Sequence, residues 1–282
     1  MHKILPQKTN KVNKTVNNKT GDTMKTILYT GGSGGIAKEV IKKIKHKYFI
    51  YVGVHTEKQL ELITNRYKDE KNIKVIKLDL LSNNDLEKIK QLDIDILISN
   101  AAIGYGGSIA EIDIIRLKEI FEVNVFQNFK LVQIVLKNMI KKGKGKIIMI
   151  SSLSGLMPLK FMGPYSSSKA SIIRLTQSLK SELKLINKNI KISLIEPGMY
   201  KTGFNQLMIE DKYEWMKNKS YFKKELEMIR KKENIFWRLF EYKSLNSIVK
   251  QITKAIKHDD KFIYSAPTTQ RILAKIYEII ND

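Results

Sequence analysis

The sequence predicts an α/β fold: one doubly wound parallel sheet of about seven strands with helices on both faces. Three observations carry that expectation. Short apolar segments of strand length alternate with longer amphipathic segments of helical period. A glycine-rich turn, Thr30-Gly31-Gly32-Ser33-Gly34-Gly35-Ile36-Ala37, follows the first apolar segment directly and opens the first helix. Asparagine, serine and small residues recur at the ends of later strands, the edge at which such sheets bind ligands.

Composition bounds the possibilities. With 282 residues, 43% of them hydrophobic, the chain can bury one large core or two small ones, and no shift in composition favours two. The absence of Cys excludes disulfides and thiolate chemistry and suits a cytoplasmic protein. The longest apolar runs, such as Ile94 to Ile98 and Lys146 to Ile150, are too short to span a membrane. A net charge of +23 raises the question of nucleic acid or a membrane surface. Arg, the usual reader of phosphates and guanines, stands only at Arg66, Arg116, Arg174, Arg230, Arg238 and Arg271, and the lysines are dispersed along helices. The excess of Lys, Ile and Asn is that of an AT-rich coding sequence, and no specific nucleic-acid partner is expected. Residues 1–23 are polar and basic with no hydrophobic signal region, so they read as a disordered tail or a misassigned start. That leaves 24–282 as a single domain.

In chain order, Lys25 to Tyr29 is a strand, and the glycine turn after it leads into a helix to about Lys47. Strand, turn and helix together form a phosphate cradle in the Rossmann manner, with main-chain N–H groups and the helix N-terminus facing a diphosphate. Phe49 to Val54 is the second strand, ending at His55 and Thr56. An acid there would hold ribose hydroxyls and signal NAD(H), whereas its absence suits the NADP(H) phosphate. Glu57 comes late, so NADP(H) is favoured. A helix spans Glu57 to Arg66 and a strand Ile73 to Leu78, with Asp79 and Leu80 at its end. Asp79 is placed either to bond adenine or to cap the next helix, Asn83 to Gln91. Ile94 to Ser99 is a strand running into Asn100-Ala101-Ala102, small residues that let the backbone approach a flat ligand, and Asn100 can tie strand ends together.

A long helix from Ile112 to about Lys141 carries Asn124 between Val123 and Val125, where it is either a structural tie or a holder of water. Gly145 to Ile150 is a strand ending in Ser151-Ser152-Leu153-Ser154-Gly155. Pro164 opens a helix to about Ile186, and Lys191 to Ile195 leads to the loop Pro197-Gly198-Met199-Tyr200-Lys201-Thr202. Residues 203–245 are rich in Lys, Met and aromatics and read as helical, in an enzyme a substrate lid over about 199–245, otherwise a helical insertion packing its own core. A helix at Ser247–Lys257, a strand at Lys261–Tyr264 and a helix at Thr268–Ile280 finish the chain. No spacing of His, Asp or Glu fits a metal site.

Tyr165 and Lys169 lie four residues apart, one helical turn, so the phenol and the ammonium share a face. A phenol of ordinary pKa about 10 is a poor acid or base near neutrality, and a fixed positive charge beside it would lower that value. Alone, the pair is equally a packed tyrosine beside a solvated lysine. The glycine turn also spells Gly31-Gly32-Ser33-Gly34-Gly35, the pattern of a hydrolase nucleophile elbow. That reading needs a downstream histidine, of which only His46, His55 and His258 exist, and an oxyanion loop from an earlier strand, of which there is none.

Taken together, Thr30-Gly31-x-x-x-Gly35-x-Ala37, Asn100-Ala101-Ala102, Asn124, Ser152, Tyr165-x-x-x-Lys169 and Pro197-Gly198-x-x-x-Thr202 resemble the short-chain dehydrogenase/reductase family in order and spacing. The resemblance is strong over residues 24–202 and weaker over 247–282. Two departures stand out: Ala37 where the family usually has a third glycine, and Ser99-Asn100-Ala101-Ala102 where it has Asn-Asn-Ala-Gly.

The resemblance implies hydride transfer between the nicotinamide of NADP(H) or NAD(H) and a small-molecule carbonyl or secondary alcohol. In that scheme Tyr165 is the general acid/base and Lys169 lowers its pKa and holds the nicotinamide ribose. Ser152 binds the substrate oxygen and Asn124 holds a water. Thr30 to Ile36, His55, Thr56, Asp79, Leu80, Asn100 to Ala102, Pro197, Gly198 and Thr202 would bind the cofactor. A catalytically silent dinucleotide sensor is the alternative, against which the intact Ser152, Tyr165 and Lys169 argue. The family pairs through its two long helices, which implies a homodimer or homotetramer.

Overall fold

The computed structural model describes residues 24–186 and 189–281; the expectation for residues 1–23 lies outside them. Seven strands form one parallel sheet: β1 (Thr26–Tyr29), β2 (Phe49–Val54), β3 (Ile73–Lys77), β4 (Ile96–Ser99), β5 (Gly145–Ile150), β6 (Ile190–Pro197) and β7 (Ile263–Ala266). Their order is β3-β2-β1-β4-β5-β6-β7. The chain winds outward from β1 to β3, then crosses to the other side of β1 with β4, which leaves a crevice at the carboxyl ends of β1 and β4.

Both faces are covered because successive strand residues point to opposite sides and both sets are apolar. Ile27 and Tyr29 of β1 face a core completed by α1 (Gly35–Ile44), α2 (Glu57–Arg66) and α9 (Asn246–Lys257). Leu28, between them, faces the other core, built from α3 (Asn83–Lys90), α5 (Asn128–Lys142) and α6 (Gly163–Ile186). The expected doubly wound architecture is therefore the observed one. Among the described residues no helix is long and apolar enough to cross a membrane.

Several elements differ from the sequence expectation. The long helix around Asn124 is three pieces: α4 (Ile114–Phe121), a π-helical turn at Glu122–Gln127, and α5. The widened turn is where Asn124 turns inward, its amide bonded to both main-chain groups of Ile103. β7 lies two residues later than expected, because pairing with β6 from Leu194↔Ile263 to Pro197↔Ala266 buries Tyr264 and Ala266 and leaves Lys261 exposed. Asp79 does not cap α3. Ser82 does, accepting from the Asp85 N–H at 3.2 Å, while Asp79 accepts from Leu81 N–H in a local turn.

Residues 203–245 fold as two helices, α7 (Phe204–Lys219) and α8 (Leu226–Phe240). Lys212 of α7 is buried and forms a 2.5 Å ion pair with Glu233 of α8, which also accepts from the Tyr213 hydroxyl at 2.6 Å. α8 itself buries none of its residues. The last helix, α10 (Thr268–Asn281), lies against the short turn Leu153–Leu156 that follows β5.

Candidate active site

The glycine turn is shaped by close approach. Gly31 has φ +65°, and a Cβ there would lie 2.8 Å from Asn100 Nδ2. A Cβ on Gly32 would meet Val52 Cγ1 at 2.2 Å. Thr30 and Asn100 lock the ends of β1 and β4: Thr30 Oγ1 accepts from the N–H groups of Asn100 and Ala101 at 2.8 and 2.9 Å, and Asn100 Nδ2 donates to Thr30 O at 3.0 Å. Gly34 precedes α1 and brings no side-chain cap, so the first N–H groups of that ten-residue helix face the crevice. This turn, which admits no side chain at Gly31 or Gly32 and presents helix N–H groups, fits the diphosphate of a dinucleotide.

Beside it stand the residues from β5 and α6. Tyr165 and Lys169 are both buried, with Lys169 Nζ 5.6 Å from the centre of the Tyr165 ring and donating to Ile150 O at 3.2 Å. Ser152 borders the cavity beside Tyr165; its Oγ accepts from Ser154 N–H at 3.1 Å and from Ser154 Oγ at 2.9 Å, and donates to Pro197 O at 3.4 Å. Asn124 donates to Ser168 Oγ at 3.1 Å, and Ser168 in turn donates to Tyr165 O. The side chain of Asn124 is thus a tie between the π-helical turn and the start of α6.

The electrostatics correct one expectation. Burial pushes the Tyr165 phenol well above its ordinary value, and Ser152 beside it opposes this only in part. Burial also pushes Lys169 down, to about 8. Spacing along the helix foretold that the two groups are neighbours; it carried no information on their removal from water.

Glycine cradle, Ser152, Tyr165, Lys169, Asn100 to Ala102, Pro197, Gly198 and Thr202 all border one cavity of about 660 Å³. Thr30 and Gly32 do not border it, nor do His55, Thr56, Asp79 and Leu80 at the ends of β2 and β3. There Thr56 caps α2, accepting from Gln59 N–H at 3.2 Å, His55 Nε2 is 3.6 Å from Asp79 Oδ2, and Leu80 is buried in the core beside α3. Glu57 is occupied by Lys77 at 3.1 Å. Among the described residues no histidine borders the cavity with Ser33.

The sequence reading missed Ser154, which braces Ser152, and the whole contribution of α10. Gln270, Leu273, Ile276 and Tyr277 of that helix form cavity wall. A signal was present: apolar residues at 272, 273, 276, 277, 279 and 280 cover more of the helix than one buried stripe needs.

A doubly wound sheet with a dinucleotide cradle and a serine, tyrosine and lysine at its carboxyl edge defines a nucleotide-dependent oxidoreductase class. The sequence profile described as short chain dehydrogenase matches residues 25–212. The chain belongs to that family. It is 31% identical over 187 residues to an uncharacterized oxidoreductase of Bacillus subtilis, covering 64% of this chain and 66% of that protein. It is 33% identical over 201 residues to a 3-oxoacyl-[acyl-carrier-protein] reductase of Rickettsia typhi, covering 68% and 79%. The match spans 66% of the Bacillus subtilis protein and 42% of a Bos taurus dehydrogenase/reductase, less than two thirds of the length of either. Among solved structures, a short chain dehydrogenase/reductase of Burkholderia phymatum in complex with NAD superposes with a TM-score of 0.77 over 92% of this chain and 94% of that one, at 17% identity. At that identity the likeness is one of fold.

Proposed function

We propose that this protein is an NAD(P)-dependent oxidoreductase acting on a carbonyl or secondary alcohol, with Tyr165 as the general acid/base. One observation carries the reading: Ser152, Tyr165 and the buried Lys169 border the same cavity as the glycine turn that opens α1. The bound dinucleotide would supply or accept the hydride. Thr30 to Ile36 and Asn100 to Ala102 would hold it along the cradle, with Pro197, Gly198 and Thr202 closing over it. Lys169 would orient the ribose.

Ser152 places a hydroxyl where a substrate oxygen develops charge. Tyr165, its pKa raised by burial, is neutral at physiological pH and so holds the proton that reduction of a carbonyl requires. Asn124 fixes the π-helical turn against α6 and would keep a water near Lys169. Residues 199–245 would serve as the lid of a single domain.

NADP(H) is the favoured cofactor because β2 ends without a free acid: His55 and Thr56 occupy the position, and Glu57 is paired with Lys77. A homodimer or homotetramer through α4–α5 and α6 accounts for the exposure of Phe126, Leu175 and Leu185. The protein is read as cytoplasmic. A panel of ketones and secondary alcohols, followed by nicotinamide absorbance at equal NADPH and NADH, tests this reading. Turnover of one class is expected; absence of both turnover and cofactor binding would overturn it.

A further inference from the structure

The cavity has two chemically distinct ends. Lys169 is the one charged side chain among the described residues that border it, in a chain of net charge +23. The lining beyond Tyr165 is mostly apolar and carries no charge. α8 supplies Phe236, Trp237 and Phe240, with the Phe236 ring 4.8 Å from Phe240 and 6.3 Å from Trp237. α10 faces them with Leu273, Ile276 and Tyr277. Phe204, at the start of α7, tilts over the Tyr165 ring at 5.6 Å and roofs the reacting end.

Two side-chain amides border this end, and Asn205 Nδ2 donates to Tyr200 O at 3.2 Å. Gln270 accepts from Met199 N–H at 2.8 Å and donates to Phe240 O at 2.6 Å, so both ends of its amide are used. A polyhydroxylated or carboxylated substrate would lose its water here and find no charge and few polar groups to replace it. An apolar body gains by leaving water, and Phe236, Leu273 and Ile276, at 45%, 53% and 47% exposure, have surface left to cover.

We propose that the substrate is a large apolar carbonyl compound, a long alkyl chain or fused ring system. Its carbonyl lies at Ser152 and Tyr165, and its body runs outward between α8 and α10. This rests on the oxidoreductase reading and narrows it: sugars, short hydroxy ketones and 2-oxo acids are excluded by the same wall.

The experiment uses a series of methyl alkyl ketones of increasing length alongside hydroxyacetone and pyruvate, with two readouts. The first is displacement of the uncharged dye Nile red from the cofactor-free protein, which needs no turnover. The second is kcat/KM with NADPH. Both should rise about fourfold per added methylene until the chamber is full, the value of a methylene leaving water. Phe236→Ser and Leu273→Asn should flatten that slope in both readouts, the loss growing with chain length. Hydroxyacetone or pyruvate turned over as well as the long ketones, or a flat length dependence in displacement, would overturn the proposal and leave the oxidoreductase reading standing. Displacement by long ketones with no ketone or alcohol turned over would instead retire that reading, and the substrate assignment with it.

Discussion

Gln270 stands in the space that a side chain on Gly198 would need: a Cβ there would lie 2.1 Å from Gln270 Oε1 and 2.8 Å from Pro267 Cδ. The same Oε1 accepts the neighbouring Met199 N–H at 2.8 Å, so the loop after β6 is clasped to α10 through one amide. Gly198→Ala should therefore cost about 1–3 kcal/mol by overpacking. Gln270→Ala removes one of the two obstacles, and the double variant should be less damaged than the sum of the single ones. Thermal melts of all four proteins form the cycle. Strict additivity would mean that the clasp is not what the glycine accommodates.

Tyr165→Phe removes a hydroxyl and little else, because the ring keeps its packing against Ile120, Met208 and Phe204. Turnover is expected to fall by a factor on the order of 10² to 10⁴ or more, the usual worth of a positioned acid or base. Nicotinamide fluorescence on titration should still report cofactor binding. Full activity in this variant would remove Tyr165 from proton transfer.

Lys169 couples stability to pH. Its folded pKa of about 8 lies below the ordinary 10.5, so the folded state bears a penalty wherever the ammonium is charged. That penalty is complete below pH 8 and is relieved between about 8 and 10.5, where the unfolded chain binds more protons than the folded one. Lys169→Met should then be more stable than the parent at pH 7, on the order of 2 kcal/mol after allowing for the lost hydrogen bond to Ile150. The advantage should shrink as pH approaches 10, while activity is lost at every pH. Melting temperatures of cofactor-free protein at the two pH values check the sign, and a variant less stable at pH 7 would refute it.

Cofactor choice is expected to turn on His55 and Thr56. NADPH should bind more tightly than NADH, and His55→Asp should shift the preference toward NADH by placing a carboxylate at the end of β2. Glu57→Gln should leave the preference alone, since Lys77 already occupies that carboxylate. Titration of each protein with both nucleotides decides the matter; tighter NADH binding by the parent would show that another acid reaches the ribose.

Local signals proved most legible where local rules suffice. The bounds of α2 and β5 coincide with the expected ones, since each is set by its own punctuation: Thr56 and its capping box for α2, and Gly143 in a left-handed turn two residues before β5. The glycine turn and the one-turn spacing of Tyr165 and Lys169 were likewise readable, because a short β-to-α turn and a helical repeat are properties of a few consecutive residues.

What the sequence by itself determined is the parallel sheet, the order of its elements and the residue types at its carboxyl edge, all of which follow from periodicity and short motifs. Only the tertiary structure decided that β7 slides two residues to pair with β6, that the helix at Asn124 opens into a π-turn, and that α10 walls the cavity. It also decided that Tyr165 is made less acidic by burial. Each of these depends on which distant groups meet and how much water they exclude, and neither contact nor desolvation is written in the spacing of neighbouring residues.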